Sequence, residues 1–330
     1  MAAAAAIQTV GIAGCGVIGA GWTARCLAHG LDVIAWDPAA GAEAGLRGAV
    51  DNAWPAVTRL GLSAGASRER LRFAPDLAAM CRAADFIQEC APEREDLKRE
   101  LHAQMDALAD RRTVIASSTS GLLPSNFQAG CRHPQRIVVG HPFNPVYLLP
   151  LVEVLGGRQT AAAHVEEAVN FYRSIGMHPL RVRAEVPGFL SDRLQEALWR
   201  EALHLVNEGA ATTEELDAAI TYGPGLRWAL WGVCMIFHLA GGAGGMRHTL
   251  RHFDPQLFPW SKLPPPPMGE KLIEAMADGV AQQTAGRSLR ELEQRRDNCL
   301  VAILEALAAE NAGAGKVLRE NRARRQNAAG

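Results

Sequence analysis

The chain has 330 residues, of which 48% are hydrophobic, and its formal net charge is −1 at pH 7. This length exceeds what one hydrophobic core usually supports, so we expect two domains. A near-neutral chain lacks the basic stripe that nucleic acid or an anionic membrane surface would need, which indicates a small-molecule partner. The seven cysteines form no CxxC pairs, and the N-terminus MAAAAAIQTV resembles no export signal. These features favour reduced thiols, a cytoplasmic location and no metal site.

The first half of the chain alternates short apolar runs with helical patterns. The runs are, in chain order, TVGIAG, LDVIAWD, DFIQEC, TVIASS, RIVVGHPF, PLVEVLGG and HPLRVRAE. Such alternation is typical of parallel strands covered by helices on both faces. It predicts an α/β fold class, with a doubly wound N-terminal domain over residues 1–186.

The pattern changes at Val186-Pro187-Gly188, after which apolar residues recur at helical spacing. We therefore predict an all-helical C-terminal domain over residues 187–310, whose first helix ends at Gly209 and whose second is capped by residues 212–215. The run WALWGVCMIFHLAGGAGG is interrupted by glycines and predicts a buried helix instead of a membrane span. After the connector SKLPPPPMG, two amphipathic helices are expected in GEKLIEAMADGVAQQ and RSLRELEQRRDNCLVAILEALAAE. Residues 311–330 are predicted to be a disordered tail.

A glycine fingerprint, GCGVIG, follows the first predicted strand and opens a helix. Its first glycine permits a tight turn, the second lets a pyrophosphate approach the backbone, and the third lets the helix pack on the strand. The second strand ends at Asp37, whose carboxylate would accept hydrogen bonds from a ribose and repel a 2′-phosphate. The pattern predicts a Rossmann-type NAD site that comprises Gly14, Gly16, Val17, Ile18, Gly19 and Asp37. A ligand-free glycine turn and an FAD site are the alternatives.

A catalytic base is expected at His141, because NAD-dependent oxidation of an alcohol requires a group that accepts the hydroxyl proton. His141 ends the predicted strand RIVVGH, at the edge where open α/β sheets present groups to their ligand. Glu153, in the strand PLVEV, is placed to meet the imidazole and fix its tautomer. A purely structural role at the strand end is the alternative for His141.

The sequence resembles the 3-hydroxyacyl-CoA dehydrogenase family over most of its length. The resemblance is carried by GCGVIGAG, DFIQECAPEREDLK, ASSTSGLLPS, GHPFNPVYLLPLVEV and PGFLSDRLQ. It implies that His141 is the base, that Glu153 is its partner, and that Ser120 and Asn144 contact the substrate oxygen. For Ser120 and Asn144, local turn hydrogen bonds are the alternative.

The same resemblance implies that Glu93 and Lys98 lie near the cofactor riboses and that the helical domain forms a homodimer. A solvent-exposed helical pair is the alternative for these two residues. One position departs from the family pattern, because Asp192 stands where the family usually has asparagine. A carboxylate there changes the local hydrogen bonding.

The second domain resembles the carnitine-oxidising branch of the family in NEGAATTEELDAAITYGPGLRWALWG and FHLAGGAGGMRHTL. This resemblance implies L-carnitine as the substrate. A trimethylammonium group has no N–H to donate, so aromatic faces are expected to bind it. The aromatic candidates are Phe143, Tyr147, Tyr222, Trp228 and Trp231. Helix packing is the alternative for the two tryptophans, because a spacing of three places both on one helix face.

Three other functions stay open at this point. The chain has no lysine between residues 38 and 97 to bind a CoA phosphate, although arginines occur there. A 3-hydroxyacyl-CoA dehydrogenase and an L-gulonate 3-dehydrogenase are the alternative enzymes. A crystallin-like protein that keeps the fold without catalysis is the non-enzyme alternative.

Overall fold

The computed structural model describes residues 7–229, 232–240 and 286–329, together with the single positions Gly245, His248 and Lys271. Contacts divide the chain into two compact units. The first comprises Met1–Leu190, Asp297–Glu305 and Val317–Gly330, and the second comprises Ser191–Arg296 and Ala306–Lys316. The predicted connector SKLPPPPMG and the helix predicted in GEKLIEAMADGVAQQ lie outside the described residues.

The first unit is built on a mostly parallel sheet, as its sequence pattern predicts. Its described strands are β1 (Thr9–Ala13), β2 (Asp32–Trp36), β3 (Leu71–Phe73), β4 (Phe86–Glu89), β5 (Val114–Ser117), β6 (Ile137–Pro142), β7 (Leu151–Gly156) and β8 (His178–Arg181). They form one sheet in the order β3-β2-β1-β4-β5-β6-β7-β8. Strands are added on one side of β1 as far as β3 and on its other side from β4 onward, so the switch point where doubly wound sheets bind ligands lies between β1 and β4.

Helices cover both faces of this sheet. They are α1 (Val17–Ala28), α2 (Ala42–Leu60), α3 (Leu77–Ala83), α4 (Glu95–Leu108), α5 (Pro124–Gln128) and α6 (Ala162–Ser174). On one face Trp22, Leu46 and Tyr172 pack from α1, α2 and α6 into a single hydrophobic cluster. On the other face Met105 and Phe127 belong to a second cluster. The layered α/β prediction is therefore confirmed.

The strand β7 departs from the expected parallel pattern, because it runs antiparallel to β6. The connection between them, residues 143–150, is shorter than the crossover of a dozen or more residues that parallel strands need. The antiparallel register sets His141 directly opposite Glu153.

The second unit is helical in its described part. It contains α7 (Ser191–Asn207), α8 (Thr213–Thr221), α9 (Pro224–Trp228) and α10 (Val233–Ala240). The predicted cap of α8 is confirmed, since the Thr212 hydroxyl accepts from the Glu215 amide and the Glu215 carboxylate accepts from Thr212. The unit begins at Ser191, four residues after the predicted boundary. Among the described residues, no helix combines the length and hydropathy needed to cross a bilayer.

The prediction of a disordered tail over residues 311–330 is wrong. The C-terminal helices are α11 (Leu289–Ala309) and α12 (Gly313–Ala329). In α12, Leu318 and Asn321 are buried, and Asn321 Nδ2 lies 3.1 Å from His29 Nε2. Polar side chains hold this helix in the first unit, so it lacks the apolar periodicity that a sequence search detects.

Candidate active site

The glycine fingerprint forms the turn between β1 and α1. Gly14 has φ +103°, which a residue with a side chain rarely adopts. A Cβ atom at Gly19 would lie 2.0 Å from the Gly14 carbonyl oxygen, whereas one at Gly16 would meet nothing within 4 Å. Val17 is 67% exposed and Ile18 is half-buried at the start of α1. The first amides of the helix thus face an open space that an anion can enter.

Asp37 follows β2 and closes one side of this space. Its carboxylate accepts hydrogen bonds from the amides of Cys15 and Ala39, both at 2.8 Å. A cavity of about 670 Å³ lies beside it and is lined by Gly14, Gly16 and Asp37 among others. Burial, and secondarily the negative charge of Asp37, raise the pKa of the Cys15 thiol to about 12, so this thiol stays uncharged at neutral pH. The cavity fits the adenosine half of a dinucleotide: a helix N-terminus, apolar walls and a carboxylate for the ribose.

Lys98 does not reach this cavity. Its side chain is 1% exposed, and its ammonium donates to Glu89 Oε1 at 2.8 Å and to the Ala91 carbonyl at 3.0 Å. The cavity wall is formed by its neighbours on α4, including Leu97 and Leu101. The alternative that Lys98 forms a solvent-exposed pair with Glu93 is therefore wrong, because the Lys98 side chain is buried. Its contacts instead hold the loop that follows β4 against the cavity.

Glu93 connects that loop to the end of β5. Its Oε1 accepts from the Thr119 hydroxyl at 2.5 Å and from the amide of Ser120 at 2.9 Å. Its Oε2 lies 3.6 Å from Lys98 Nζ. Because β4 and β5 are parallel neighbours, these residues meet at the carboxyl edge of the sheet. Glu93 is exposed there, at the edge where Gly14 and Asp37 also lie.

The predicted pair of His141 and Glu153 is in contact. His141 Nδ1 lies 2.9 Å from Glu153 Oε2, and both side chains are almost fully buried. The other carboxylate oxygen of Glu153 accepts from the amide of Leu190 at 3.0 Å. A carboxylate that accepts at Nδ1 favours the neutral tautomer whose ring hydrogen is on Nδ1.

Ser120 and Asn144 lie at the same edge of the sheet, after β5 and β6 respectively, and both are exposed. The turn after β5 is held by the Thr119 hydroxyl, which accepts from the amide of Leu122 at 3.0 Å. The hydroxyl that makes this turn hydrogen bond is therefore that of Thr119, and not that of Ser120. Topology brings Ser120, Asn144 and His141 to one edge, as expected for groups that act on one ligand.

A buried polar network behind His141 was missed in the sequence. Gln88 Nε2 donates to the Gly140 carbonyl at 3.1 Å and to Ser118 Oγ at 2.8 Å, while the Tyr172 hydroxyl donates to Gln88 Oε1 at 2.7 Å. A Cβ atom at Gly140 would lie 1.8 Å from the Tyr172 hydroxyl oxygen, so only glycine fits there. The detectable signal was a glutamine inside the apolar strand DFIQEC, since buried amides need partners.

The five aromatic candidates are divided between the two units. Phe143 lies beside His141, with the two ring centroids 4.7 Å apart. The Tyr147 hydroxyl donates to Asp297 Oδ2 at 2.5 Å, also within the first unit. Tyr222 is 85% exposed and Trp228 is half-buried in the second unit. Trp231 lies outside the described residues.

Comparison with known proteins shows which family models match this chain and which proteins it is similar to. Two family models match: the NAD binding domain of 3-hydroxyacyl-CoA dehydrogenase over residues 9–186 and its C-terminal domain over residues 188–286. An L-carnitine dehydrogenase of a Pseudomonas species is 57% identical over 315 residues, which cover 95% of this chain and 98% of that protein. An L-carnitine dehydrogenase of Pseudomonas aeruginosa is 58% identical over 302 residues, or 91% and 94% of the two chains.

A solved structure is similar over most of the chain. It is an NAD⁺-dependent 5-formyl-3-hydroxy-2-methylpyridine 4-carboxylic acid 5-dehydrogenase, with a TM-score of 0.78 and 29% sequence identity. The match covers 92% of this chain and 99% of that one. Family model and solved relative both involve NAD, in agreement with the carboxylate of Asp37 at the cavity.

Proposed function

The chain belongs to the 3-hydroxyacyl-CoA dehydrogenase family, and we propose that it catalyses the NAD-dependent oxidation of the 3-hydroxyl group of L-carnitine to 3-dehydrocarnitine. The contact of His141 with Glu153, at the carboxyl edge of a dinucleotide-binding sheet, carries the chemistry of this proposal. The high identity to L-carnitine dehydrogenases over nearly the full length supports the choice of substrate.

The first unit holds the cofactor. The amides at the start of α1 bind the pyrophosphate, with Val17 and Ile18 at the helix entrance, and Asp37 binds the adenosine ribose. Glu93 faces the second ribose, and Lys98 keeps the loop of Glu93 in place through its buried contacts. NAD, when bound, accepts a hydride at C4 of the nicotinamide.

His141 removes the proton. Its Nε2 takes the proton of the C3 hydroxyl as the C3 hydrogen leaves as hydride, so that the C–O bond becomes a carbonyl. Glu153 stabilises the resulting imidazolium through Nδ1. Ser120 and Asn144 donate hydrogen bonds to the reacting oxygen. The buried position of the pair strengthens these interactions by excluding water.

Aromatic side chains recognise the trimethylammonium. Each aromatic face contributes about 0.5–2 kcal/mol by cation–π attraction. Phe143 lies close enough to His141 to contact a small substrate bound there. Tyr147, Tyr222, Trp228 and Trp231 are the other aromatic residues that we propose for this role.

The arginines near α2 argue against a CoA substrate. Arg47 pairs with Glu43 at 2.8 Å and Arg70 pairs with Asp32 at 2.9 Å. Arg68 pairs with Asp51 at 2.5 Å. Carboxylates thus already neutralise these cations, which makes them poor ligands for the phosphates of CoA. A small free 3-hydroxy acid suits this surface better.

We also propose that the protein is a cytoplasmic homodimer. The described helices of the second unit expose large apolar side chains, among them Leu194 at 65% and Phe237 at 51%. Exposed apolar side chains of this kind are typical of subunit interfaces. A reaction that consumes NAD fits the cytoplasm, where this cofactor is regenerated.

Initial rates with three substrates test the proposed function. L-carnitine, L-gulonate and 3-hydroxybutyryl-CoA are each offered with NAD, and NADH formation is followed. We expect kcat/KM for L-carnitine to exceed the other two values by about 10² or more, since only this substrate engages the cation site. Preferred oxidation of either other substrate would replace the proposal, and no NADH with any of them would favour the non-enzymatic alternative.

A further inference from the structure

Arg25 is a buried cation held by carbonyl groups. It lies on α1, is 5% exposed, and forms no ion pair with the described residues. Its Nε donates to the Val146 carbonyl at 2.7 Å, and its Nη2 donates to the Leu149 carbonyl at 3.2 Å. Its Nη1 donates to the carbonyls of Ile175 and Gly176 at 3.2 and 3.3 Å. Burial lowers the pKa of Arg25 to about 10, so the guanidinium stays charged at neutral pH.

The two carbonyls of Val146 and Leu149 belong to residues 143–150, here termed the β6–β7 loop. This loop begins directly after the strand of His141 and carries Phe143, Asn144 and Tyr147. Since the loop forms neither helix nor strand, the carbonyls of Val146 and Leu149 need donors from elsewhere. Arg25 supplies two of them in the fixed geometry of one planar group.

The loop also packs directly on the helix of Arg25. A Cβ atom at Gly21 would lie 2.9 Å from Val146 Cβ, so α1 and the loop approach closely. The same helix begins at the glycine fingerprint, one end of the cofactor cavity. One rigid helix therefore contacts the cofactor site at its start and the β6–β7 loop near its end.

We propose that Arg25 is a positioning residue that fixes the β6–β7 loop relative to the cofactor helix and thereby places L-carnitine for hydride transfer. The choice of substrate rests on the proposed function, whereas the loop contacts do not. Positioning matters here because a displacement of about 1 Å at the reacting atoms lowers a rate by about 10². Because Arg25 pairs with no carboxylate among the described residues, its N–H groups are available to the carbonyls of the loop.

The test compares Arg25→Lys with Arg136→Lys. Arg136 is the control because it is also buried and also donates to backbone carbonyls, those of Asp106 and Thr113, although it pairs with the Asp106 carboxylate at 2.9 Å as well. It precedes β6, at the end of that strand opposite His141. Lysine keeps the charge in both variants but offers a single ammonium in place of the planar fork.

We expect Arg25→Lys to lower kcat for L-carnitine oxidation about tenfold, because the substrate is misplaced at the reacting atoms, while KM for NAD stays within about twofold of wild type. Arg136→Lys should lower Tm and leave kcat and both KM values within about twofold. An unchanged kcat in Arg25→Lys, or an equal fall of kcat in the two variants, would overturn the positioning role. If Arg25→Lys does not fold, Arg25→Gln is measured against the same criteria.

Hydrogen exchange separates this proposal from the proposed function. The amides of Leu148 and Leu149 donate to the Pro145 carbonyl at 3.0 and 2.9 Å within the loop. Without any substrate, they should exchange faster in Arg25→Lys than in Arg136→Lys. Equal exchange in the two variants contradicts the role of Arg25 even if L-carnitine is oxidised. Faster exchange supports it even if the wild-type protein prefers another substrate.

Discussion

The two units differ in how well their side chains are buried and paired within the unit. In the first unit, buried charged groups such as Lys98, Arg25 and Glu153 have partners within the unit. In the second unit, α7 buries Leu203 but leaves Leu198 and Trp199 each 49% exposed. The first unit therefore pairs its own buried charges. The second presents apolar surface on α7, which we propose binds a second copy of the chain.

The largest expected effect comes from removing the base in the first unit. His141→Ala should lower kcat by roughly 10²–10⁴-fold, because Nε2 no longer accepts the hydroxyl proton. The Kd for NAD should remain that of wild type, since His141 lies on β6 and the glycine fingerprint precedes α1. Stopped-flow measurement of NADH formation and titration of NAD binding check the two values. An unchanged kcat would remove His141 from the mechanism.

Acid should loosen the contact of α12 with the rest of the first unit. Burial, followed by the charges of Arg325 and Arg25, lowers the pKa of His29 from 6.5 to about 3. The folded state thus keeps His29 neutral where the unfolded state is protonated. The stability from the neutral ring is complete above pH 6.5 and is lost as the pH falls from there towards 3, by up to about 1.4 kcal/mol per pH unit.

Urea denaturation between pH 4 and 7 checks this dependence, with His29→Gln as the control. Glutamine can accept from Asn321 and Arg325 as the ring does, yet it does not titrate. The free energy of unfolding of this variant should fall less steeply towards acid pH than that of wild type. Parallel curves for the two proteins would show that His29 does not contribute.

In the second unit, substitution of Trp228 should weaken binding of L-carnitine and leave the Tm of the protein unchanged. Loss of one cation–π contact in Trp228→Ala should raise KM for L-carnitine by roughly 2- to 30-fold, while KM for NAD stays unchanged. Leu226→Ala is the control, because Leu226 lies on the same short helix and is 71% exposed. A lower Tm with an unchanged KM would assign Trp228 to helix packing.

The smallest expected effect is a twofold change in particle mass. It tests whether the exposed apolar side chains of the second unit form a dimer interface. Leu194→Glu together with Leu198→Glu places two charges on the exposed face of α7 and should convert a dimer into a monomer. Light scattering after size exclusion measures the mass. A wild-type protein that already elutes as a monomer would contradict the proposed dimer.

Local sequence patterns predicted several geometric features of the candidate site. Strand, glycine spacing and terminal acid predicted the turn between β1 and α1 and the carboxylate of Asp37 beside it, and the structure places both at one cavity. The meeting of His141 with Glu153 was expected from neighbouring strands, although their antiparallel register followed from the short β6–β7 loop. The helix cap at Thr212 was equally local.

What the sequence did not reveal depends on long-range polar contacts. The helix α12 is held by Asn321, Arg322 and Arg325, which look like a solvated tail until their partners are known. Lysine is usually a surface residue, yet Lys98 pairs with Glu89 in the interior. Arg25 donates to carbonyls far along the chain. Side-chain partners of this kind leave no periodic signal.

Transfer of a labelled hydrogen tests the central claim most directly. L-carnitine that carries deuterium at C3 is incubated with the protein and NAD, and the NADH is analysed by mass spectrometry. The account predicts one deuterium at C4 of the nicotinamide in each NADH molecule, with 3-dehydrocarnitine formed in equal amount. NADH that contains no deuterium, or no NADH at all from L-carnitine, would contradict it.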